Sequence, residues 1–478
     1  MIAAIVALPL AAALWCAIPR SDRLAPVASF IAAGLVLGLS VAVFAAVSIA
    51  GSAIVVPHWI ELDSLSSLLL ALIALVYFTA ALFSWGYLSA AEHASARIRL
   101  YHANFNLFAL SMLCIPLIAE VGLVWIFVEL TTLLSVLLVS YALSTGALEA
   151  AWKYMTLTLI GATVAVLGIL VLFWALHTTG STDFTWSGLQ LAAPRMPHAL
   201  LGAAFALLLV GYGVKIGFVP LHTWLPDAHS QPPSPVCAML SGIETTAVLY
   251  VILRLRNVFA ADSSLHVGSW FAVVGLVSVG VAALLILQTH DYKRLFAFST
   301  VEHMGIILAA ASILTPAGDV AVVWQILAHA ATKSFCFYAA GTTLIATGTR
   351  EIDGVRGLLG RSRSSAAALL LGGLAIGGAP PFAVFLSELA ILRAAMLAHA
   401  FVVMALLALF IAVAFCGVLW HVTRMLAGES PAERKPVRLP PTCVWALVLA
   451  AIPVVVLGVW LPDGLSRALE AAARVLGA

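Results

Sequence analysis

Apolar segments long enough to cross a membrane recur along the whole chain, and they constrain its fold more than any other feature. Taking about 20 residues for one crossing, we predict fourteen spans, located within 2–19, 27–50, 64–88, 104–119, 121–143, 154–177, 199–219, 236–254, 267–288, 297–314, 320–346, 366–391, 400–424 and 442–461. Charged residues make up 9% of the 478, whereas a soluble protein carries about 25%. The sequence predicts an all-α polytopic membrane protein.

The spans follow one another without a soluble domain or a low-complexity linker, which predicts one membrane domain over residues 1–478. The N-terminal apolar run has no positive residues before it, so we expect a first span and not a cleaved signal peptide. The expected division is helices one to three in 1–100, helices four to eight in 101–256, helices nine to thirteen in 267–425, and the last helix and a tail in 442–478.

Lysine and arginine are divided unequally between the two ends of the spans. If the N-terminus is outside, six of the 23 lie in outer connections, two lie within the membrane and fifteen lie in cytoplasmic connections. Because positive residues favour the cytoplasmic side, we predict that both termini are outside. The cytoplasmic set is Arg20, Arg23, Arg97, Arg99, Lys153, Lys293, Arg294, Arg350, Arg356, Arg361, Arg363, Arg424, Arg434, Lys435 and Arg438.

Span seven is interrupted in the stretch GYGVKIGFVPLHTWLPDAHSQPPSPV at 211–236, which carries Lys215 and then five prolines. Proline removes a backbone donor and blocks the preceding turn, and open backbone at membrane depth requires surrounding protein or water. A lysine there costs about 2.5 to 3.5 kcal/mol and indicates a functional site. We therefore predict a broken helix followed by a polar segment with His222, Asp227 and His229. A kinked helix whose lysine reaches the surface is the alternative.

Span twelve is interrupted in a similar way by Pro380 and Pro381, which precede Glu388 in GGAPPFAVFLSEL. Interrupted helices in corresponding positions of two halves are typical of transporters built from inverted repeats, with binding sites near the middle of the membrane. The pattern indicates such a repeat.

Glu129 lies in span five with apolar residues on both sides for more than two turns. A buried carboxylate is neutral or paired, and Lys215 is the natural candidate partner. Two interpretations remain open: a static pair that holds two helices together, or a pair whose opening and closing changes the proton affinity of the lysine.

Span eleven carries His329 and Lys333 four residues apart, so both side chains lie on one helix face. A buried histidine exchanges protons through either ring nitrogen, which favours a polar conduit over a satisfied core histidine. Glu302 and His303 are adjacent in span ten and therefore point to different faces. Glu244, at the start of span eight, has two open interpretations, a functional carboxylate or a surface cap.

The chain lacks the motifs of metal, phosphate and nucleophilic sites. Its six cysteines are scattered without ligand spacing, no glycine-rich phosphate loop is present, and no serine has a partnered His/Asp order. We expect no cofactor in this chain, neither flavin, haem nor an iron–sulfur cluster. The formal charge of +2 and the lack of a basic tract argue against nucleic acid as a partner.

Several of these motifs resemble one known family over roughly residues 60 to 425. VPLHTWLPDAHSQPPSPV, DYKRLFAFSTVEHMGII, HAATK and APPFAVFLSE resemble the antiporter-like membrane subunits of respiratory complex I, a family shared with Mrp-type sodium/proton antiporters and energy-conserving membrane-bound hydrogenases. ALEAAWKYM, STVEHMGII and APPFAVFLSE look closer to the hydrogenase-4 component F type of formate-hydrogenlyase-like complexes.

The resemblance implies about fourteen helices in two inverted five-helix repeats, with helices seven and twelve broken, and proton translocation along a hydrated axis. It implies that Glu129, Lys215, His329, Lys333 and Glu388 carry the protons. It gives supporting positions in motif loops or neighbouring helices to Lys153, His222, Asp227, His229, Lys293 and His303, to which we add Glu244 and Glu302 from the sequence.

The chain departs from the family in span eight, where many members carry a lysine that bridges the two halves. Here IETTAVLYVILR offers Thr245 and Thr246, with Glu244 nearby. A threonine holds a water chain but carries no charge, so this departure puts the relay between the halves in question.

Together these features predict a proton-translocating, antiporter-like subunit of a multisubunit redox complex. The partners expected are other antiporter-like membrane subunits, a peripheral redox arm with iron–sulfur proteins, and lipid, in the inner membrane of a prokaryote. The alternatives are an Mrp-type sodium/proton exchanger subunit, a non-pumping structural subunit and, more remotely, a subunit that drives uptake of another small solute such as inorganic carbon.

Overall fold

The computed structural model describes residues 1–18, 24–90, 95–428 and 437–477, which form twenty α-helices and one β-hairpin. The first ten helices are α1 (Ile2–Ala17), α2 (Leu24–Ala50), α3 (Ser64–Ala90), α4 (Ser95–Cys114), α5 (Val121–Val139), α6 (Thr145–His177), α7 (Trp186–Ala192), α8 (His198–Ile216), α9 (Leu225–Ser230) and α10 (Ser234–Met239). The others are α11 (Thr245–Ala260), α12 (Val267–Gln288), α13 (Tyr292–Ala311), α14 (Pro316–Thr347), α15 (Leu358–Arg361), α16 (Arg363–Ile376), α17 (Ala383–Leu397), α18 (Phe401–Leu426), α19 (Pro441–Val459) and α20 (Asp463–Gly477). The hairpin pairs β1 (Ser52–Val56) with β2 (Ile60–Asp63).

The predicted all-α membrane fold is confirmed. In the described part of the chain, twelve helices are long and apolar enough to cross a membrane, and two shorter apolar helices, α1 and α16, accompany them. Each predicted span overlaps a helix. The count of fourteen crossings, the division of the chain and the inverted repeats stay predictions.

The helices α6 and α13 begin earlier than predicted, and in both a polar residue caps the first turn. The Ser144 hydroxyl accepts from the amide of Ala147, so α6 begins at Thr145 and Lys153 is helical. Asp291 accepts from the first amides of α13, so Lys293 lies in the first turn of that helix and its side chain is buried. Placing these two lysines in connecting loops was wrong, since a capped helix begins with polar residues before its apolar run.

Both predicted helix breaks are present, and they have the same local cause. The helix α8 ends at Ile216, four residues before Pro220, and α16 ends at Ile376, four residues before Pro380. A proline has no amide to donate to the carbonyl four residues earlier, so each helix ends there. Gly217 is the first residue of the first break, with φ +88°, and Gly378 lies in the second break, with φ +77°.

The helices divide into a buried centre and an apolar perimeter. Side chains of α10, α11, α13 and α14 are almost all buried, whereas α5, α6, α12, α18 and α19 expose large apolar residues. Ile126, Leu133, Leu409 and Trp445 are examples, each at least half exposed. An exposed apolar perimeter is expected of a chain whose surroundings are lipid, so the polar centre is separated from lipid by a layer of helices.

Several ion pairs join span ends or connections that the predicted alternation places on the same side of the membrane. On the predicted cytoplasmic side the pairs are Lys153–Asp227, Arg294–Asp227, Arg350–Asp291 and Arg424–Asp353, and on the predicted outer side they are Arg254–Asp63, Arg256–Asp319 and His198–Asp262. This agreement supports the predicted alternation of loops. The orientation of the termini stays a prediction, and Arg20, Arg23, Arg434 and Lys435 lie outside the described residues.

The predicted C-terminal tail is an amphipathic helix, α20, which packs against α3, α11 and α14. Arg256 holds its end, because Nη2 donates to the Leu476 carbonyl at 2.5 Å and Nη1 donates to Asp319 at 2.6 Å. A cation at the C-terminal end of a helix satisfies free carbonyls and opposes the helix dipole. The tail is therefore fastened to the end of the bundle that is predicted to be outer.

Candidate functional site

Lys215 lies in the last turn of α8, with its side chain buried against α5. Its Nζ donates to the Val128 carbonyl at 2.6 Å and to the Thr132 hydroxyl, and lies 3.5 Å from Oε1 of Glu244. The predicted broken helix with a buried lysine is present, so the alternative of a lysine that reaches the surface is wrong. The residue that pairs with Lys215 is Glu244, whereas the sequence indicated Glu129.

Glu244 is 1% exposed, so its interpretation as a surface cap is wrong. It ends a π-helical turn, Leu240–Glu244, between α10 and α11, where π-turns are frequent at functional sites. Its Oε1 accepts from the Thr131 hydroxyl at 2.8 Å and from the Tyr154 hydroxyl at 2.9 Å. The sequence could not show this position, because the extra residue of the turn changes which face of the helix follows.

Glu129 is half-buried and lies close enough to Lys215 and Glu244 to interact with both electrostatically. Within the described residues, its buried Oε2 has no hydrogen-bond partner. Two carboxylates therefore lie near one lysine. Oε1 of Glu244 accepts hydrogen bonds, whereas the buried Oε2 of each carboxylate has no partner among the described residues. The cluster therefore brings one basic and two acidic side chains together within the bundle.

The segment after the first break connects the two halves of the bundle. The α9 carboxylate of Asp227 pairs with Lys153 on α6 at 3.4 Å and with Arg294 on α13 at 3.0 Å. Lys293 on α13 donates through Nζ to the Pro232 carbonyl at 2.7 Å. Polar contacts at the predicted supporting positions Asp227 and Lys293 thus fasten α9 and the segment that follows it to α13.

The histidines of this segment are placed differently from Asp227. His229 is fully buried, its ring edge against Trp224, and neither ring nitrogen has a hydrogen-bond partner among the described residues. It interacts electrostatically with Lys333 of α14. His222 is half-buried in the turn before α9.

Lys333 and His329 lie on one face of α14, as the sequence predicts, and both are fully buried. Lys333 Nζ donates to the Phe296 carbonyl at 2.7 Å and to the Ser299 hydroxyl at 2.5 Å on α13. His329 Nε2 is 3.1 Å from the Ser241 carbonyl. Because Ser241 belongs to the π-turn that carries Glu244, this hydrogen bond joins the Lys215 cluster to the α14 face.

The two threonines of span eight do not bridge the halves. Thr245 and Thr246 donate to carbonyls of their own helix, those of Ser241 and Gly242. Gly242 instead permits close packing, because a Cβ there would lie 3.2 Å from the Ala330 carbonyl of α14. In this chain the π-turn and α14 are thus in direct contact at the position where the sequence lacks the expected lysine.

The carboxylates of Glu302 and Glu388 extend the polar groups from Lys333 to the second break. Both are buried; Glu302 interacts electrostatically with Lys333, and Glu388 interacts with Glu302. Glu388 lines a cavity of about 280 Å³ between the second break and α18, together with Gly378 and Phe415. The order along this part of the site is therefore Lys333, Glu302 and Glu388.

A polar cavity of about 810 Å³ opens on the predicted cytoplasmic side, and we call it the vestibule. It is lined by Leu285, Gln288, Thr289, His290, Asp291, Arg294, Phe298, Leu344, Gly348, Thr349, Arg350, Glu351 and Asp353. Phe298 precedes Ser299, whose hydroxyl accepts from Lys333. The vestibule therefore ends one residue along α13 from a ligand of the buried lysine.

His303 makes a hydrogen-bond chain to the second break that the sequence did not indicate. Its Nε2 is 3.1 Å from the Ile376 carbonyl and its Nδ1 is 3.2 Å from Nε2 of Gln325. The Ser387 hydroxyl lies 2.5 Å from Oε1 of Gln325. The ring centroids of His303 and His329 are 5.2 Å apart. A signal for Gln325 was available, since it precedes His329 by four residues, as His329 precedes Lys333.

Other functional side chains missed by the sequence are uncharged. The hydroxyls of Thr131, Thr132, Tyr154 and Ser299 contact the charged groups, but such residues are common in apolar helices and their spacing carries no signal. In the described ranges, no group of three or more His, Cys, Asp or Glu could hold a metal ion. The expectation of no cofactor stays a prediction.

Comparisons with known proteins agree with the fold. Over residues 118–414 the chain matches the family described as NADH:quinone oxidoreductase/Mrp antiporter, TM. A protein described as a hydrogenase-4 component F homolog, from Methylacidiphilum infernorum, is 34% identical over 411 residues, which cover 84% of this chain and 85% of that protein. These similarities confirm the resemblance that the motifs indicated.

Solved structures agree as well. A chain of the membrane-bound sulfane sulfur reductase, an archaeal respiratory membrane complex, matches with a TM-score of 0.89 and 26% identity over 100% of this chain and 97% of that chain. A chain of the Mrp complex from Dietzia sp. DQ12-45-1b has the same fold, with a TM-score of 0.87 and 23% identity over 100% and 97% of the two chains.

Proposed function

This chain belongs to the NADH:quinone oxidoreductase/Mrp antiporter family, and on that premise we propose that it carries protons across the membrane along its buried charged residues. The observation that carries the proposal is a run of buried titratable groups through the bundle. It leads from Lys215 and Glu244 through the π-turn to His329 and Lys333, and then by Glu302 to Glu388.

The Lys215 cluster is the proposed switch. Lys215 is paired with Glu244 in this structure, while Glu129 lies nearby with an unpartnered oxygen among the described residues. Transfer of the ammonium group from Glu244 to Glu129 would free a carboxylate that Thr131 and Tyr154 hold in place. Freeing a buried carboxylate favours its protonation, so movement of one lysine binds or releases a proton.

The π-turn is the proposed connection between the halves. Glu244 ends this turn, and Ser241 within it accepts a hydrogen bond from His329. A displacement of Glu244 therefore moves the carbonyl that holds His329. His329 Nδ1 has no hydrogen-bond partner in the described part of the chain, so this nitrogen is available to take a proton.

Beyond His329, we propose that Lys333 exchanges protons with the vestibule past Phe298, and that Glu302 and Glu388 complete the path to the second break. His229, buried beside Lys333 without a hydrogen-bond partner among the described residues, is a second acceptor within reach of the lysine's field. Water molecules in the gaps would complete the transfer, since proton transfer requires hydrogen-bonded neighbours.

The chain is a multi-pass, antiporter-like membrane subunit, and we propose that it works within a redox complex. Its relative is described as a hydrogenase-4 component, and one structural neighbour belongs to an archaeal respiratory membrane complex. The proposed partners are further antiporter-like subunits and a peripheral arm with iron–sulfur proteins. The proposed location is the inner membrane of a prokaryote, with both termini outside.

The test measures proton uptake by inside-out vesicles while electron donor is supplied. We expect Lys215→Ala to abolish the uptake that accompanies electron flow, whereas Arg467→Ala, on the exposed face of α20, keeps it. Uncoupled electron flow with intact assembly supports the proposal. Unchanged uptake in Lys215→Ala rejects it, and sodium-dependent uptake without electron donor replaces it with an exchanger.

Purification in mild detergent from the native membrane tests the partners. Co-purification of a large redox subunit with iron–sulfur proteins, identified by mass spectrometry, is the expected result. Recovery of small membrane subunits alone, from a preparation that retains proton exchange, contradicts the redox assignment.

A further inference from the structure

We propose that Gln325 is a positioning residue whose side-chain amide reverses when His303 gains or loses a proton, and so conveys the charge of His303 to the second helix break. The proposal rests on the proposed proton path and adds a residue to it. It is carried by the hydrogen-bond chain from Ile376 through His303 and Gln325 to Ser387.

The Ile376 carbonyl determines which nitrogen of His303 carries hydrogen. The Ile376 carbonyl ends α16, and the amide that would bond to it in a regular helix is missing because residue 380 is proline. His303 Nε2 lies 3.1 Å from this carbonyl, which accepts only, so Nε2 carries the hydrogen. In neutral His303 the other nitrogen, Nδ1, is then an acceptor.

The neutral His303 ring in turn determines the orientation of the Gln325 side-chain amide. Because Nδ1 of neutral His303 accepts, the group 3.2 Å away must be the NH₂ of Gln325. The carbonyl oxygen of the same amide then faces Ser387, whose hydroxyl donates to it at 2.5 Å. While His303 is neutral, each donor in this hydrogen-bond chain therefore faces an acceptor.

Adding a proton to Nδ1 of His303 reverses the orientation that the Gln325 amide prefers. The imidazolium donates from both nitrogens, so Nδ1 and the NH₂ of Gln325 would face each other as two donors. Rotation of the amide by half a turn presents Oε1 to Nδ1 and removes this conflict. The NH₂ group then faces Ser387.

Ser387 is surrounded by acceptors that permit this reversal. Besides Oε1 of Gln325, its hydroxyl oxygen lies 2.9 Å from the Val384 carbonyl and 3.2 Å from the Ala383 carbonyl. When the amide turns, the hydroxyl hydrogen moves to one of these carbonyls, and the oxygen accepts from Gln325. Both orientations of the amide are therefore fully hydrogen-bonded, and the charge of His303 decides between them.

The reversal reaches the second break because Ser387 immediately precedes Glu388 on α17. The side chains of His303, Gln325 and Ser387 are fully buried, so water does not compete for these hydrogen bonds. Protonation of His303 thus moves the hydroxyl hydrogen of Ser387 from Gln325 to a carbonyl of the first turn of α17, one residue from the carboxylate that lines the cavity.

The test reads the tautomer of His303 directly, by nitrogen chemical shifts of ring-labelled histidine in the full-length protein, with His303→Asn to assign the signal. We expect hydrogen on Nε2 in the neutral wild-type ring. In Gln325→Met, which keeps the length of the side chain without its polar atoms, we expect the Nδ1–H form to rise about fivefold, as for the loss of one ordinary hydrogen bond.

Two further variants separate positioning from folding. Ser387→Ala should shift the tautomer in the same direction by a smaller factor, while Ser365→Ala, which removes a buried hydroxyl bonded to the Thr342 carbonyl, should leave it unchanged. Gln325→Glu presents carboxylate oxygens to both neighbours and should hold His303 in its charged form, with coupled proton uptake lowered about tenfold or more.

An Nδ1–H ring in the wild type, or the same tautomer in wild type and Gln325→Met, overturns the proposal. These measurements need no proton transport, so they fail or succeed separately from the vesicle test of Lys215→Ala. A Gln325→Met protein that loses its fold is replaced by Gln325→Leu in the same comparison, and normal coupling in Gln325→Glu also counts against the proposal.

Discussion

Lys215 Nζ lies 3.5 Å from Oε1 of Glu244, and both side chains are buried. The same carboxylate oxygen accepts hydrogen bonds from Thr131 and Tyr154, so three elements, α5, α6 and the π-turn, hold the partner of one lysine. Glu129 also interacts electrostatically with this lysine, but its buried Oε2 has no hydrogen-bond partner among the described residues.

The first prediction compares the two carboxylates by stability. Glu244→Ala leaves a buried lysine without its ion pair, for which a loss of about 3 to 5 kcal/mol is expected. Glu129→Ala removes a group without a hydrogen bond to its buried oxygen among the described residues, so we expect a loss of less than about 1 kcal/mol. Unfolding of the two purified variants in one detergent checks this, and equal losses would contradict the pairing.

The second prediction concerns Gly378, in the second break. Its φ of +77° is rarely adopted by other residues, and a Cβ there would overlap Oε2 of Glu388. We expect Gly378→Ala to displace the carboxylate and lower coupled proton uptake about tenfold, which corresponds to about 1.4 kcal/mol. Gly360→Ala is the matched control, since a Cβ there meets nothing within 4 Å; equal uptake in the two variants would refute the prediction.

The third prediction concerns acid stability through Asp63, which ends β2. Burial raises the pKa of Asp63, but the Arg254 guanidinium and hydrogen bonds from Ser66 outweigh it, so the pKa lies below the usual value. A lowered carboxyl pKa stabilises the folded state above the unfolded value of about 3.9, and the contribution is lost as pH falls through the folded pKa.

We therefore expect Asp63→Asn to be less stable than the wild type by about 1.5 to 3 kcal/mol at pH 7, with the difference narrowing below about pH 4. Unfolding measured between pH 3 and pH 7 for both proteins is the test. A difference that stays constant over this range would show that the charge of Asp63 is not its cause.

The fourth prediction concerns the attachment of α20. Arg256→Met removes the bond to the Leu476 carbonyl and leaves Asp319 buried without its cation. We expect amide exchange in residues 463–477 to rise about tenfold or more, as for a loss of about 1.4 kcal/mol. Adding Asp319→Leu should recover global stability without restoring protection of α20; recovery of both would mean that Arg256 does not hold the helix end.

Much of the architecture followed from the sequence because membrane spans are defined by length and composition. Lys215, Lys333, His329 and Glu388 were also identifiable, since a titratable residue in an apolar run is costly and therefore conspicuous. The partner of Lys215 was not, because the distance between Glu244 and the lysine depends on a π-turn that sequence periodicity does not reveal.

The uncharged part of the site was hidden for a different reason. Gln325 and Ser387 act through geometry supplied by three helices, and each is an ordinary residue within its own segment. Only the four-residue spacing from Gln325 to His329 and Lys333 offered a signal. The amphipathic α20 was also missed, because its short apolar stripe lies within a polar stretch after the last apolar run.

The π-turn at Leu240–Glu244 makes the site sensitive to the number of residues in the chain as well as to their chemistry. Deleting one residue there would restore a regular helix, and each residue of a helix turns the chain by about 100°. Either Glu244 would rotate away from Lys215, or Ser241 would rotate away from His329. A single-codon deletion that keeps Ser241 and Glu244 in the sequence would therefore disconnect the two halves.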